Sequence, residues 1–254
     1  GKSGTKPSPY QNYMYGAFDT TLSMFCIQLA STSWSRQYIA SSGAGAGSED
    51  CKAGLRIIGN MDLGRFVLMS VNEPIRIAEV MGKMVGGGLE SVVMNYYRHI
   101  DHSRVQFDFI VDEDSTLIPY KEIESLGGHV FVVPPYQHVF AYQRALITLV
   151  RAQGWQIVHS HENTLSVFPL HAAKIAGIPI RIAHSHSTAG KGEPVRNMMK
   201  WVLRRFANVY PTHRFACSRH AGEWLFGKNV DFDAIYNAID LSRFEFNPSV
   251  RAQV

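Results

Sequence analysis

From Ile75 onward, short apolar runs alternate with stretches whose apolar residues recur at helical spacing, and this alternation restricts the fold more than any other feature. Residues 75–81 read as a buried first strand ending at Gly82. Leu89, Val92, Val93, Tyr96, Tyr97 and Ile100 then mark one face of a helix. Further strands are predicted over 106–111, 129–133, 155–158, 180–183, 214–217 and 232–236. Helices are predicted over 139–150, 165–176 and 195–206, with short ones before Gly127 and over 221–226. Pro169 should kink its helix or shift the start. Such regular alternation requires right-handed crossovers and a mostly parallel sheet covered on both faces. The expected fold class is α/β, a Rossmann-like doubly wound parallel sheet.

Composition narrows the setting. The chain is 46% apolar and 18% charged, which suits a globular protein. A net charge of +4 is too diffuse to imply nucleic acid, yet it does not repel an anionic ligand. Cys26, Cys51 and Cys217 form no metal or redox motif, and an odd, unpatterned count favours a reducing compartment. No window approaches the ~18 apolar residues of a membrane span, and the apolar patch at 22–30 is a poor signal peptide. The expected location is cytoplasmic. Residues 1–68 hold clusters of Ser, Gly and Thr without sustained periodicity. They are expected to be a poorly ordered or non-native extension, with the working domain at 69–246 starting at Met69.

In an open parallel sheet, ligands bind beyond the carboxyl ends of the strands, so three loops stand out: 82–88, 159–163 and 184–188. Gly86, Gly87 and Gly88 open a helix directly after a strand. Glycine lets the backbone approach a ligand, and a helix start favours a phosphate. A tight turn needed only for packing is the plainer reading. A P-loop is excluded, because no Lys–Ser/Thr pair follows. A dinucleotide fingerprint is approximate, since Ser91 stands where a third glycine belongs. Asp112, after the second strand, sits near the ribose-binding distance, which keeps an NAD(P)-dependent oxidoreductase in play.

His159 and His161 flank Ser160, and His184 and His186 flank Ser185. Residues two apart on an extended backbone point the same way, so each pair can converge on one point. Imidazoles suit zinc, but no carboxylate or thiolate completes an obvious set. A structural role, or a direct role in ligand contact or proton handling, stands beside the metal reading. Arg196, Lys200 and Arg204 form a basic stripe, either a solvated face or a contact for a lipid diphosphate or anionic membrane.

The segment from Val80 to Ser91, with Gly86–Gly87–Gly88 at its centre, resembles the opening loop of family 4 glycosyltransferases that build bacterial capsular and exopolysaccharides. Met94–Asn95–Tyr96–Tyr97–Arg98, Ile157–Val158–His159–Ser160–His161 and Arg181 to Thr188 continue the resemblance. So do Ala216–Cys217–Ser218, Ala221 to Gly227, and Tyr236 to Asp240, in family order over about 75–246. The resemblance implies the N-terminal half of a GT-B fold, with an active site between two Rossmann-like domains. It implies a metal-free, retaining hexosyl transfer from a nucleotide sugar to a saccharide or lipid-linked acceptor, with peripheral membrane association. Gly86, Gly87 and Gly88 would approach the donor phosphate and sugar. His161 would be the catalytic histidine contacting the donor sugar, and His184, His186, Ser187 and Thr188 would line the acceptor pocket.

The sequence departs from the family pattern at Gln156, where Asp is common, and at Ala238, where the linker motif has Gly. Residues 247–254 are expected to start the linker to a donor-binding domain beyond Val254, and without that domain the chain is expected to be inactive. A non-catalytic ligand-binding domain is the remaining alternative.

Overall fold

The computed structural model describes residues 55–59, 66–70, 73–188, 194–237 and 251. Cys26, Cys51, Arg196 as a side chain, Ala238 to Asp240, and 247–254 apart from Arg251 lie outside what it describes. Two strands precede the main domain, β1 (Leu55–Gly59) and β2 (Phe66–Ser70), paired antiparallel. Met69, the expected start of the working domain, lies within β2 and pairs with Arg56.

The main domain then alternates strand and helix: β3 (Ile75–Gly82), α1 (Gly88–His99), β4 (Val105–Asp112), α2 (Tyr120–Ser125), β5 (His129–Val133), α3 (Val139–Gln153) and β6 (Ile157–Ser160). A 3-10 turn (Asn163–Ser166) leads into α4 (Val167–Ile175). Then come β7 (Ile180–Ser185), α5 (Pro194–Arg204), β8 (His213–Ala216), α6 (Arg219–Phe226) and β9 (Asp233–Ala234). Seven strands form one sheet in the order β5-β4-β3-β6-β7-β8-β9, and every pairing is parallel. The Rossmann-like expectation holds. Pro169 is the third residue of α4, where a missing N–H leaves no broken bond, so the helix start has moved and the helix is intact.

Because strand side chains alternate, the sheet carries two apolar layers. Ile77, Phe107, Phe109, Ile157, Ile182 and Phe215 pack on the α1 side with Val93 and Tyr97. Ala78, Val80, Ile110, Val158 and Ala183 pack on the other side, under Tyr142, Leu146, Leu170 and Leu225 from α3, α4 and α6. The chain builds outward from β3 to β5, then returns to lay β6 on the opposite edge of β3. Strand order therefore reverses between β3 and β6. At such a reversal an open parallel sheet places its ligand crevice.

Candidate active site

The loop after β3 turns through Gly82 (φ 66°) and Gly86 (φ 81°), backbone conformations that strain residues with a Cβ. Gly87 is the N-cap of α1 and Gly88 its first residue. Their surroundings differ. A Cβ on Gly87 would lie 2.8 Å from Glu90 Oε2, whereas one on Gly88 would meet nothing within 4 Å. Glu90 reaches back to accept the Val85 N–H at 2.9 Å, so one carboxylate already occupies part of the helix start. Open approach to the positive end of α1 lies on the Gly88 side.

Strand pairing sets Glu79 beside His159, and His159 beside Ile182. With the period of two, Glu79, His159 and His184 all point into the α1-side layer, and His161 and His186 follow just beyond the strand ends. The expected convergence of the two histidine pairs is what the geometry shows. Glu79 Oε2 lies 2.7 Å from His161 Nε2 and 3.0 Å from His159 Nδ1. His159 Nε2 lies 3.1 Å from His184 Nδ1, and His161 Nδ1 lies 2.9 Å from His186 Nε2. Burial alone would raise the Glu79 pKa, but His159 and His161 outweigh it and hold the carboxyl at about 2. Burial, reinforced by neighbouring rings, lowers His161 to about 4 and His186 to about 2, and takes His184 well below the usual range. Glu79 is thus an ionised acceptor facing the neutral His161 ring. His161 donates from Nε2 and receives the His186 Nε2–H at Nδ1.

This arrangement changes the role expected of His161. The ring is only 2% exposed and both nitrogens are engaged within the protein, so in this conformation it has no atom to offer a donor sugar. His184 is likewise 1% exposed and lies inside β7. The pair is buried at the ends of β6 and β7, while His186 is half-buried and Ser187 and Thr188 line a pocket nearby.

That pocket contains residues the sequence reading missed. It lies between the ends of β6 and β7, lined by Glu162, Asn163, Ser187, Thr188, Tyr136 and Trp224. Asn163 adopts φ 52°, rare for a residue with a side chain. Its Oδ1 accepts the His186 and Ser187 N–H groups at 2.7 and 3.2 Å, and its Nδ2 donates to Ser187 Oγ at 3.3 Å, binding the two loops together. Glu162 accepts the Tyr142 hydroxyl at 3.0 Å. Burial, then the charge of Asp112, pushes Glu162 up to about 8, and burial with Asp114 pushes Asp112 up to about 6. A Cβ at position 82 would lie 2.7 Å from Glu162 Oε1, so the glycine also makes room for this carboxyl. Glu79 was legible as the one acidic residue inside a largely apolar strand. Glu162 and Asn163 carried no signal beyond their place after the histidine motif.

Comparison with known proteins places this geometry. Residues 86–243 match the family model described as Glycosyltransferase Family 4. The chain is 35% identical over 181 residues to EpsF of Bacillus subtilis (strain 168), which carries a glycosyltransferase name; the match covers 68% of this chain and 47% of EpsF. It is 22% identical over 192 residues to the UDP-Gal:alpha-D-GlcNAc-diphosphoundecaprenol alpha-1,3-galactosyltransferase of Escherichia coli, covering 70% and 48% respectively. The chain thus spans about half the length of these curated relatives. Among solved structures, Anabaena Alr3699/HepE in complex with UDP and glucose superposes with a TM-score of 0.51 at 18% identity, covering 70% of this chain and 50% of that one. At that identity the likeness concerns the fold.

Proposed function

The chain belongs to glycosyltransferase family 4, and on that premise we propose that it forms the acceptor-side lobe of a retaining transferase. The proposed enzyme moves a hexosyl group from a nucleotide sugar to a saccharide or lipid-linked acceptor in cell-surface polysaccharide synthesis. The observation that carries this reading is that the glycine loop and the Ser187–Thr188 pocket both lie at the carboxyl ends of the sheet's strands and adjoin through Glu162, which packs against Gly82 and lines the pocket.

In this reading the donor phosphate approaches α1 on the Gly88 side, where no protein atom crowds the position of a Cβ. Helix-start N–H groups stabilise charge as the diphosphate departs, which is where preorganised dipoles contribute most. The leaving phosphate takes the proton of the acceptor hydroxyl on the same face of the sugar, so configuration is retained without a protein nucleophile or a metal at the reacting carbon. Glu162, Asn163, Ser187 and Thr188 supply hydrogen bonds that orient the acceptor, with His186 beside them. The buried His161 and His184 position these loops and do not themselves touch sugar. Met198 and Trp201 on α5 are exposed, 66% and 59%, which suits contact with the inner face of a membrane that holds a lipid-linked acceptor. No helix among the described residues is long and apolar enough to cross a membrane.

Amide chemical-shift mapping tests the reading on the isotope-labelled chain, titrated in turn with UDP-glucose, UDP-galactose, GDP-mannose and NADH. At least one nucleotide sugar should shift Gly86, Gly87, Gly88 and the Asn163–Ser187 contact, with NADH leaving them in place. Shifts caused at the glycine loop by NADH, and by none of the sugars, would transfer the site to the nicotinamide reading through Asp112.

A further inference from the structure

A helix lying on a sheet turns its apolar stripe inward, and α5 does the reverse. Met198, Trp201 and Val202 stand three and four residues apart, so they share one face of the helix. That face looks outward: Met198 is 66% exposed, Trp201 59% and Val202 50%. Lys200, Leu203 and Arg204, turned away from it, are half-buried. Phe206 and Val209, just past the helix, are exposed as well. Large apolar side chains gathered on one exposed face mark a surface that something covers.

Charge identifies the occupant. Residues 194–222 hold six Lys and Arg and no Asp or Glu. Arg205 lies over the Trp201 ring at 4.8 Å, and Arg204 over Trp224 of α6 at 5.5 Å, so cations flank the apolar face. A stacked guanidinium still presents its N–H edges. Between α5 and α6 lies a hollow of about 230 Å3 lined by Trp201, Arg204, Arg205, Leu225 and Phe226. An apolar lining with two guanidiniums suits a phosphate group that carries acyl chains. A second copy of this chain would bring the same basic segment against itself, which like charges oppose.

We propose that α5 docks this lobe on an anionic phospholipid surface, with Met198, Trp201 and Val202 entering the acyl boundary and Arg204 and Arg205 holding lipid phosphates. An amphipathic helix with cations beside its apolar face lies in the plane of a bilayer in this way. Met199 and Lys200 of the same helix line the pocket that contains Ser187 and Thr188. Docking therefore sets the proposed acceptor pocket next to the bilayer, where the head of a lipid-linked acceptor stands. The inference deepens the proposed function and rests on it only for the identity of that acceptor.

The test is flotation of the full chain with vesicles of pure phosphatidylcholine, or of phosphatidylcholine with about a third phosphatidylglycerol. Binding should be at least ~30-fold tighter to the anionic vesicles and should fall steeply in about 0.5 M NaCl. Arg204→Gln combined with Arg205→Gln should weaken it roughly 30-fold, since each cation near an anionic surface contributes about a factor of five. Met198→Gln combined with Trp201→Gln should weaken it at least ~10-fold by removing apolar insertion. Brominated lipid should quench the fluorescence of the unaltered chain, and Trp201→Phe should remove most of that quenching while binding persists. Equal binding to both vesicle types would overturn the proposal. So would undiminished binding by both double variants, which places attachment elsewhere on the chain. Absence of binding overturns it too, and self-association abolished by the Met198 and Trp201 substitutions would then assign the face to a contact between two copies. Should a double variant not fold, the salt dependence and the Trp201→Phe quenching decide. No sugar is present, so a negative result leaves the transferase reading standing, and negative nucleotide-sugar mapping leaves this one standing.

Discussion

Glu162 sits where the chain leaves β6, its carboxyl held by Tyr142 and packed beneath Gly82. Its pKa of about 8, raised first by burial and then by Asp112, means that the folded protein keeps a proton the unfolded chain has already lost. Between about pH 4.5 and 8 the unfolded state therefore binds fewer protons, and this group's contribution to stability declines as pH rises through that window. Glu162→Gln cannot titrate. Relative to the parent, the variant should gain stability steadily from pH 5 to 8.5, as read by urea midpoints at several pH values. A difference that stays flat with pH would show that the carboxyl is ionised in the fold. Nothing in the residue pattern announced this side chain, because a glutamate after a strand is ordinarily solvated. Only packing against Gly82 and Tyr142 reveals it.

Strand ends were harder to read than strand centres, for one physical cause. The fourth and fifth predicted strands stop before their histidines, but β6 runs to Ser160 and β7 to Ser185. Periodicity detects a strand by its apolar face, and here that face becomes polar while remaining buried, with Glu79 bonded to His161 and His159 to His184. The same blindness hid Asp108 in the middle of β4. That carboxylate is 1% exposed and receives Arg76 from β3 (Nε at 2.8 Å), the His129 N–H from β5 at 3.2 Å, and Trp155 Nε1 at 2.8 Å just before β6. Burial pulls its pKa upward, but Arg76 and Trp155 prevail and it lies below the ordinary aspartate value. Asp108 therefore ties three adjacent strands to the approach of a fourth. Asp108→Ala strands Arg76 and the indole N–H and should cost about 3–5 kcal/mol in urea unfolding. A loss under about 1 kcal/mol would reduce the cluster to a surface ion pair.

Across the whole molecule, the alternation of strand and helix was plain from the residues, and so was the place of the ligand loops, because a parallel sheet leaves its binding crevice at one end. The ordered motifs also pointed to the family that the matched region 86–243 establishes. What the chain pattern left open was which groups face the crevice. The histidine motifs are buried behind the strand ends, and the pocket is lined by Glu162, Asn163, Ser187 and Thr188 among others. The central claim is that this crevice serves sugar transfer. It is tested most directly in a chimera in which this chain replaces the matching half of EpsF, assayed for acceptor-dependent nucleotide release from a panel of nucleotide sugars. Release with one donor class is expected, and at least a ~100-fold loss on Gly88→Val, which fills the open approach to α1. No release with any donor from a folded chimera, where unaltered EpsF releases nucleotide under the same conditions, would contradict it.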